Sequence, residues 1–105
     1  MKLNQTYVAT RTNGVTQIMV NGTYPLPLHK EVHNYGGGNL HEWGQDTAAS
    51  HQTALAILVD CLDDQELALR ACGYFQAAYL DVLSPQGWTM TSESIAGLVT
   101  ALLNM

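Results

Sequence analysis

The segment from Leu40 to Asp60 constrains the fold most, because a polar and aromatic stretch passes directly into a long apolar one. Its first part contains Trp43-Gly44, and such a pair marks a packed corner where the indole covers the start of a helix. In its second part, apolar side chains recur at helical spacing. This stripe consists of Ala54, Leu55, Leu58, Cys61 and Leu62, with Ile57 beside it. The segment therefore predicts a helix that buries one face.

The first third of the chain predicts strands. Residues 5–11 and 15–20 are rich in β-branched and aromatic residues, and Asn13-Gly14 lies between them. A second Asn-Gly pair, Asn21-Gly22, follows the second run. Asn-Gly between such runs is the strongest short-range signal for a hairpin. We expect a small N-terminal antiparallel β-meander of two or three strands.

An irregular segment follows the meander. Pro25 and Pro27 end regular pairing, because proline cannot donate to a β-ladder. Residues 28–38 then show no helical or strand periodicity, and Gly36–Gly38 is the most flexible point of the chain. We expect a surface loop here.

About three helices are predicted in the remainder. The first starts at a cap provided by Asp46, Thr47 or Ser50, and the second runs from about Gln65 to Leu83 after Asp63-Asp64. The buried face predicted for the second helix is Leu67, Ala71, Tyr74, Phe75, Ala78, Tyr79 and Val82, with Gly73 at a close helix crossing.

A short extended stretch, Trp88–Met90, precedes the third helix, which Thr91 caps. Its inner stripe is Ile95, Leu98, Val99 and Leu102. Because strands precede helices without alternating, the fold class is α+β, with the meander packed against the helices. The 105 residues form a single domain, 1–105.

The number and distribution of charged residues limit the classes of partner that the chain can bind. Only 12% of the residues are charged and the net charge is -5, while the four cations, Lys2, Arg11, Lys30 and Arg70, are scattered. Direct nucleic-acid binding needs clustered cations, so we exclude it. Sparse surface charge favours self-association or a protein partner.

Cysteine use and hydropathy predict the compartment. Cys61 and Cys72 do not form a CxxC motif, and they read as small buried side chains in a reducing cytoplasm. Residues 1–4 do not resemble a signal peptide, and no segment approaches the ~20 apolar residues that span a bilayer. We therefore expect a cytoplasmic protein without a membrane partner.

All four histidines lie between His29 and His51. The spacing of His29 and His33 suits a zinc pair on a helix, but prolines precede it and glycines follow, so no metal site is predicted. His41, Glu42, Asp46 and His51 could form an acid-base cluster, in which burial beside Trp43 would raise the pKa of Glu42. Alternatively, these groups are structural.

Motifs for covalent or cofactor chemistry are missing from the sequence. It contains no GxSxG, no phosphate loop and no dinucleotide fingerprint. We therefore predict no catalytic residues and no cofactor, and we favour a function other than that of an enzyme.

A family resemblance spans residues 7 to about 99. Glu42-Trp43-Gly44, Gln52, residues 54–60 and Trp88-Thr89-x-Thr91 together resemble a small bacterial and phage family known only as a domain of unknown function. The resemblance implies an accessory role in phage or mobile elements. Residues 45–50 depart from the family's glycine-rich pattern before the helix, which implies that a ligand cradle there would be lost.

Three functions stay open. The first is a small non-enzymatic interaction protein that binds, and inhibits, a host defence complex through a surface between Leu28 and Asp46. The second is a small-molecule or hydrolytic site, and the third is a homodimer in which Val99 and Leu103 cross a two-fold axis. The hydrolytic site would require His41, Glu42, Gln45, His51 and Gln52 to converge. The candidate binding residues are His33, Tyr35, Asn39, His41, Glu42, Trp43, Gln45, Asp46, His51 and Gln52.

Overall fold

Four antiparallel strands and three helices share one hydrophobic core in the computed structural model, which describes residues 2–104. This confirms the α+β class. The strands are β1 (Thr6–Thr12), β2 (Val15–Val20), β3 (Tyr24–Pro25) and β4 (Gly87–Thr91). The helices are α1 (Ala48–Leu62), α2 (Gln65–Ala78) and α3 (Ser92–Leu103), with a short 3-10 turn at Leu80–Val82. Within the described residues, no helix has the length and hydropathy needed to cross a membrane.

The sheet has one strand more than the two or three predicted. Its order is β3-β2-β1-β4, and β4 pairs antiparallel with β1 so that Tyr7 lies opposite Met90. The extended character of Trp88–Met90 was predicted, but its partner strand is remote in sequence and no local pattern identifies it. Pro25 lies inside β3, opposite Met19, which a short edge strand tolerates.

Helix α1 is the centre of the core. Thr47 is its N-cap, accepting a hydrogen bond from the Ser50 amide at 3.1 Å, so one of the three predicted caps is used. The predicted stripe of apolar residues is buried, and so are four polar side chains of the same helix. These are Ser50, Gln52, Thr53 and Asp60.

Asp60 joins three separate parts of the chain to α1. Its buried carboxylate accepts hydrogen bonds from the hydroxyls of Tyr7 at 2.5 Å and Tyr24 at 3.0 Å, and from Lys2 Nζ at 3.2 Å. The carboxylate is thereby paired, which is what a charge in a core requires.

Helix α2 differs from the prediction in its length and in which of its side chains are buried. It begins after the Asp64 cap as expected, but it ends at Ala78 rather than Leu83. Tyr74 and Val82, both predicted to be buried, are 63% and 75% exposed. The face that packs on α1 is Ala68, Ala71, Cys72, Phe75 and Gln76. A Cβ added at Gly73 would meet nothing within 4 Å, so the close crossing predicted there is wrong.

Helix α3 follows the prediction closely. Thr91 forms a capping box with Ser94, and Ile95 and Val99 are buried. Val99 therefore packs in the chain's own core, which leaves Leu103, but not Val99, available for the dimer contact proposed from the sequence.

Candidate functional site

Residues 28–46 form a stretch without helix or strand that packs on the first half of α1, and we call it the anchored loop. Gln52 is the anchor: its Oε1 accepts from the Tyr35 amide at 2.8 Å, while its Nε2 donates to the carbonyls of Leu28 at 2.7 Å and His33 at 2.9 Å. Since Gln52 is buried, each of these bonds satisfies a group that would otherwise lose hydration. One side chain thus fixes three points of the loop.

His41 fixes the loop at a second place. It is 6% exposed, with Nε2 2.8 Å from the Leu26 carbonyl and Nδ1 3.0 Å from Thr53 Oγ1. Burial lowers its pKa and so favours the neutral ring. A neutral ring that donates through Nε2 accepts the Thr53 hydroxyl at Nδ1, and Thr53 Oγ1 in turn accepts from the Glu42 amide at 2.9 Å. Both ring nitrogens are therefore engaged, and none is left for proton transfer to a substrate.

Glu42 is paired with Arg11. The guanidinium contacts both carboxylate oxygens, donates from Nε to the Pro85 carbonyl at 2.8 Å, and lies 5.0 Å from the Trp43 ring. Arg11 lowers the pKa of Glu42, so the raised pKa expected from the sequence is wrong. An ionised, paired carboxylate is a structural group here rather than a general acid.

Trp43 lies in the packed corner that the Trp43-Gly44 pair predicts before α1. Its indole is buried and donates from Nε1 to the Ser84 carbonyl at 3.0 Å, and it meets Trp88 edge-on at 5.8 Å between ring centroids. The anchored loop is thereby joined to the segment that leads into β4.

Tyr35 and His51 contact Cys72, which was not among the candidate residues predicted from the sequence. Tyr35 stacks on His51 at 4.0 Å, and Cys72 Sγ lies 3.4 Å from His51 Nε2 and 3.6 Å from the Tyr35 hydroxyl. Burial raises the pKa of Cys72, which keeps the thiol protonated, and raises the pKa of Tyr35 to about 12. Cys72 shares the buried face of α2 with Ala68 and Phe75, so helical spacing was the one signal that could have placed it near α1.

The remaining candidates are surface residues. His33, Asn39, Gln45 and Asp46 are exposed, and Asp46 accepts from Gln76 Nε2 at 3.0 Å. Across residues 2–104, no hydrogen bond joins any two of the side chains His41, Glu42, Gln45, His51 and Gln52. A cleft of about 310 Å³ beside residues 25–28 and 39–41 includes only His41 of these five. The convergence that the hydrolytic hypothesis requires is therefore not formed in this part of the chain.

The two histidines with zinc-like spacing contact different residues. His29 Nδ1 is 3.0 Å from Glu31 Oε1, whereas the His33 ring packs on Tyr35 at 4.3 Å. The described residues contain no group of three or more His, Cys, Asp or Glu side chains that could hold a metal ion.

The sheet-and-helix arrangement and its anchored loop define a small α+β domain. The chain belongs to DUF6166, a family of unknown function that matches residues 7–101. This supports the resemblance to a domain of unknown function inferred from the sequence. No curated protein and no solved structure matches the chain.

Proposed function

We propose that this protein is a non-enzymatic binding module that presents the anchored loop to a protein partner. The observation that carries the proposal is the buried Gln52 amide, which holds the loop at Leu28, His33 and Tyr35. A loop that is already ordered loses less conformational entropy when it binds. The buried polar side chains thus serve to present a surface, as in binding loops on a rigid scaffold.

The outward side of the loop is suited to protein contact. Leu40 is 50% exposed, and exposed polar side chains surround it in sequence, among them His33, Asn39 and Gln45. An apolar centre with hydrogen-bonding neighbours resembles the core and rim of a protein interface.

The partner class follows from charge. The net charge is -5, and three of the four Lys and Arg side chains are already engaged, Lys2 with Asp60, Arg11 with Glu42 and Lys30 with the Gly38 carbonyl. A chain of net negative charge attracts a basic surface, which increases the association rate. We therefore propose a partner with a basic surface, such as the nucleic-acid channel of a host defence complex that a phage or mobile-element protein would block in the cytoplasm.

The test is capture of a partner by matched variants. Wild-type protein, Leu40→Glu and Leu69→Glu are immobilised and exposed to host lysate in low and high salt. Leu69 is also an exposed leucine, 38% accessible, but it lies on α2. We expect one and the same protein to be retained by wild type and Leu69→Glu, lost with Leu40→Glu, and released by salt. Retention of no specific protein, or equal retention by all three, would contradict the proposal.

A second measurement separates the loop's order from its surface. Gln52→Leu changes no exposed side chain of the loop but removes the anchor. If ordering matters, the affinity for the captured partner falls in this variant while its helical circular dichroism is unchanged. An unchanged affinity would show that the anchoring has no part in binding.

A further inference from the structure

The two edges of the sheet are protected very differently. The β3 edge has only two residues, one of which is Pro25, and Pro27 follows it. Short strands and proline are devices that prevent an edge from pairing with another chain. The β4 edge has five residues, Gly87–Thr91, without proline or charge, and no strand of the described chain lies beyond it. The β4 edge thus lacks the proline and the charged side chains that often protect an edge strand.

Hydrogen bonds at the start of α3 show which β4 groups face outward. The Ser92 amide donates to the Gln5 carbonyl at 2.9 Å, so these two residues form a hydrogen-bonded pair. Bonded and non-bonded pairs alternate in an antiparallel ladder, which turns the backbone groups of Trp88 and Met90 toward β1. The opposite side of β1 agrees, because the Thr6 carbonyl accepts from the Asn21 amide at 2.8 Å, toward β2. The amide and carbonyl of Thr89 therefore face away from the sheet.

The outward amides on either side of Thr89 are already engaged. The Gly87 amide donates to the Ser84 carbonyl at 3.3 Å, and the Thr91 amide donates to Ser94 Oγ at 3.3 Å. The open part of the β4 edge is therefore short, and Thr89 lies at its centre.

The side chains near this edge are neutral. Thr89 lies opposite Val8, and both are exposed, as are Thr10 and Gln17 on the same face. On the inner face, Trp88 Nε1 is buried and has no hydrogen-bond partner within residues 2–104. β4 itself has no charged residue, and Glu93 lies just past its end, so a second copy can pair with the strand without meeting like charge on the strand itself.

We propose that β4 pairs antiparallel with β4 of a second copy about a two-fold axis through Thr89. In this register Thr89 meets Thr89 of the second copy, and the two residues exchange both backbone hydrogen bonds. Trp88 then lies beside Met90 of the second copy, where a sulfur-aromatic contact is favourable. A second copy brings the same neutral five-residue edge, so this pairing desolvates no charged side chain of either β4 strand, and that favours a second copy as the occupant.

The proposal goes beyond the binding function of the anchored loop and uses a different surface. It is tested by sedimentation equilibrium over a range of concentrations with wild type, Thr89→Lys, Thr10→Lys and Leu103→Glu. Thr10 carries the same substitution on the same face, one strand in from the edge, and is the matched control. Leu103 lies in a groove of about 600 Å³ between α2 and α3, a second apolar surface that could support self-association.

We expect wild type, Thr10→Lys and Leu103→Glu to dimerise, and Thr89→Lys to be monomeric. Salt should strengthen the dimer, because it screens repulsion between two acidic chains. A wild type that is monomeric at every concentration would overturn the proposal, as would dimerisation unchanged in Thr89→Lys. Release of monomers by Leu103→Glu alone would place the interface in the α2–α3 groove instead.

Thr89→Pro gives an independent reading. It removes only an amide that faces outward, so the β1–β4 ladder keeps its hydrogen bonds. We expect a folded monomer by circular dichroism and sedimentation. In wild type, amide hydrogen exchange at Thr89 should slow as the concentration rises, and exchange that is independent of concentration would contradict the pairing.

Discussion

The anchored loop and the helical layer of α1, α2 and α3 depend on hydrogen bonds and apolar packing to different degrees. Apart from the buried Trp43, the loop is held mainly by a few directional bonds from buried polar groups, chiefly Gln52 and His41. The helical layer is held by apolar side chains that are fully buried, among them Leu58, Phe75 and Ile95. Directional bonds fix a conformation but fail singly, whereas apolar packing is spread over many contacts. A binding surface can therefore loosen while the fold that carries it persists.

The largest effect should come from the helical layer. Leu58→Ala removes a fully buried side chain from α1, and such truncations lower the free energy of unfolding by about 2–5 kcal/mol. Leu69→Ala, at an exposed position on α2, is the control and should change the free energy of unfolding by less than about 0.5 kcal/mol. Urea unfolding measures both. Equal losses in the two variants would break the distinction between packed core and surface.

A glycine pair tests how closely the loop meets α1. Gly37 and Gly38 both have positive φ, but a Cβ at Gly37 would lie 2.4 Å from the Ala49 amide nitrogen, whereas one at Gly38 meets nothing within 4 Å. Gly38→Ala should lower the free energy of unfolding by about 1 kcal/mol through backbone strain alone. Gly37→Ala adds a steric clash that typically contributes about 1–3 kcal/mol. Thermal unfolding of the two variants should rank them in this order, and equal values would mean that the loop is not in contact with α1.

Removal of the anchor sharpens the comparison further. Gln52→Ala leaves three backbone groups of the loop without partners, and an unsatisfied buried group costs about 1–3 kcal/mol. Because the loop can detach and hydrate these groups, we expect the global loss to stay near the lower end. Hydrogen exchange should accelerate in residues 28–40 far more than in α2. Gln17→Ala, an exposed glutamine on β2, is the control, and uniform acceleration across the chain would argue against a separable loop.

The smallest effect concerns pH and His41. Burial holds the pKa of His41 below its ordinary 6.5 in the folded chain, so below pH 6.5 the unfolded chain binds a proton that the folded chain does not. Stability should therefore fall as the pH decreases through this range and be independent of His41 above it. Glu42, whose pKa lies below its ordinary 4.5, contributes stability above pH 4.5 that is lost under it.

The two contributions can be separated by substitution. His41→Gln should flatten the decline between pH 6.5 and 4.5 but keep the loss in more acidic solution. Chemical unfolding at a series of pH values measures the slope. A slope that is the same in wild type and His41→Gln would show that this ring does not anchor the loop in its neutral form.

Local signals predicted the elements of this protein well. Asn13 and Asn21 adopt positive φ as the two Asn-Gly turns require, and Thr91 and Asp64 cap the helices that follow them. These features depend on the conformation of neighbouring residues, which adjacent side chains largely determine. The face of α2 was predicted less well, because Tyr74 fits the helical period but lies on the exposed side.

The candidate site was predicted as a set of residues but not as a chemistry. Gln52 and His41 were selected from the sequence, yet their roles as loop anchors depend on carbonyls of residues 26–33 that fold back onto α1. The pKa of Glu42 was assigned the wrong direction, because Arg11, which lies on β1, is remote in sequence. Cys72 was not among the candidate site residues, because its contact with His51 also joins residues that are remote in sequence.

The amino-acid sequence by itself determined the α+β class, the turns, the helix caps and the apolar stripe of α1, because each arises from residues within one or two turns of chain. Only the tertiary structure decided that β4 pairs with β1, that Arg11 neutralises Glu42, and that Thr89 faces outward from an open edge. Pairing, burial and ionisation depend on groups that meet through folding. Their free energies are therefore set by distances in space, which no local pattern of residues specifies.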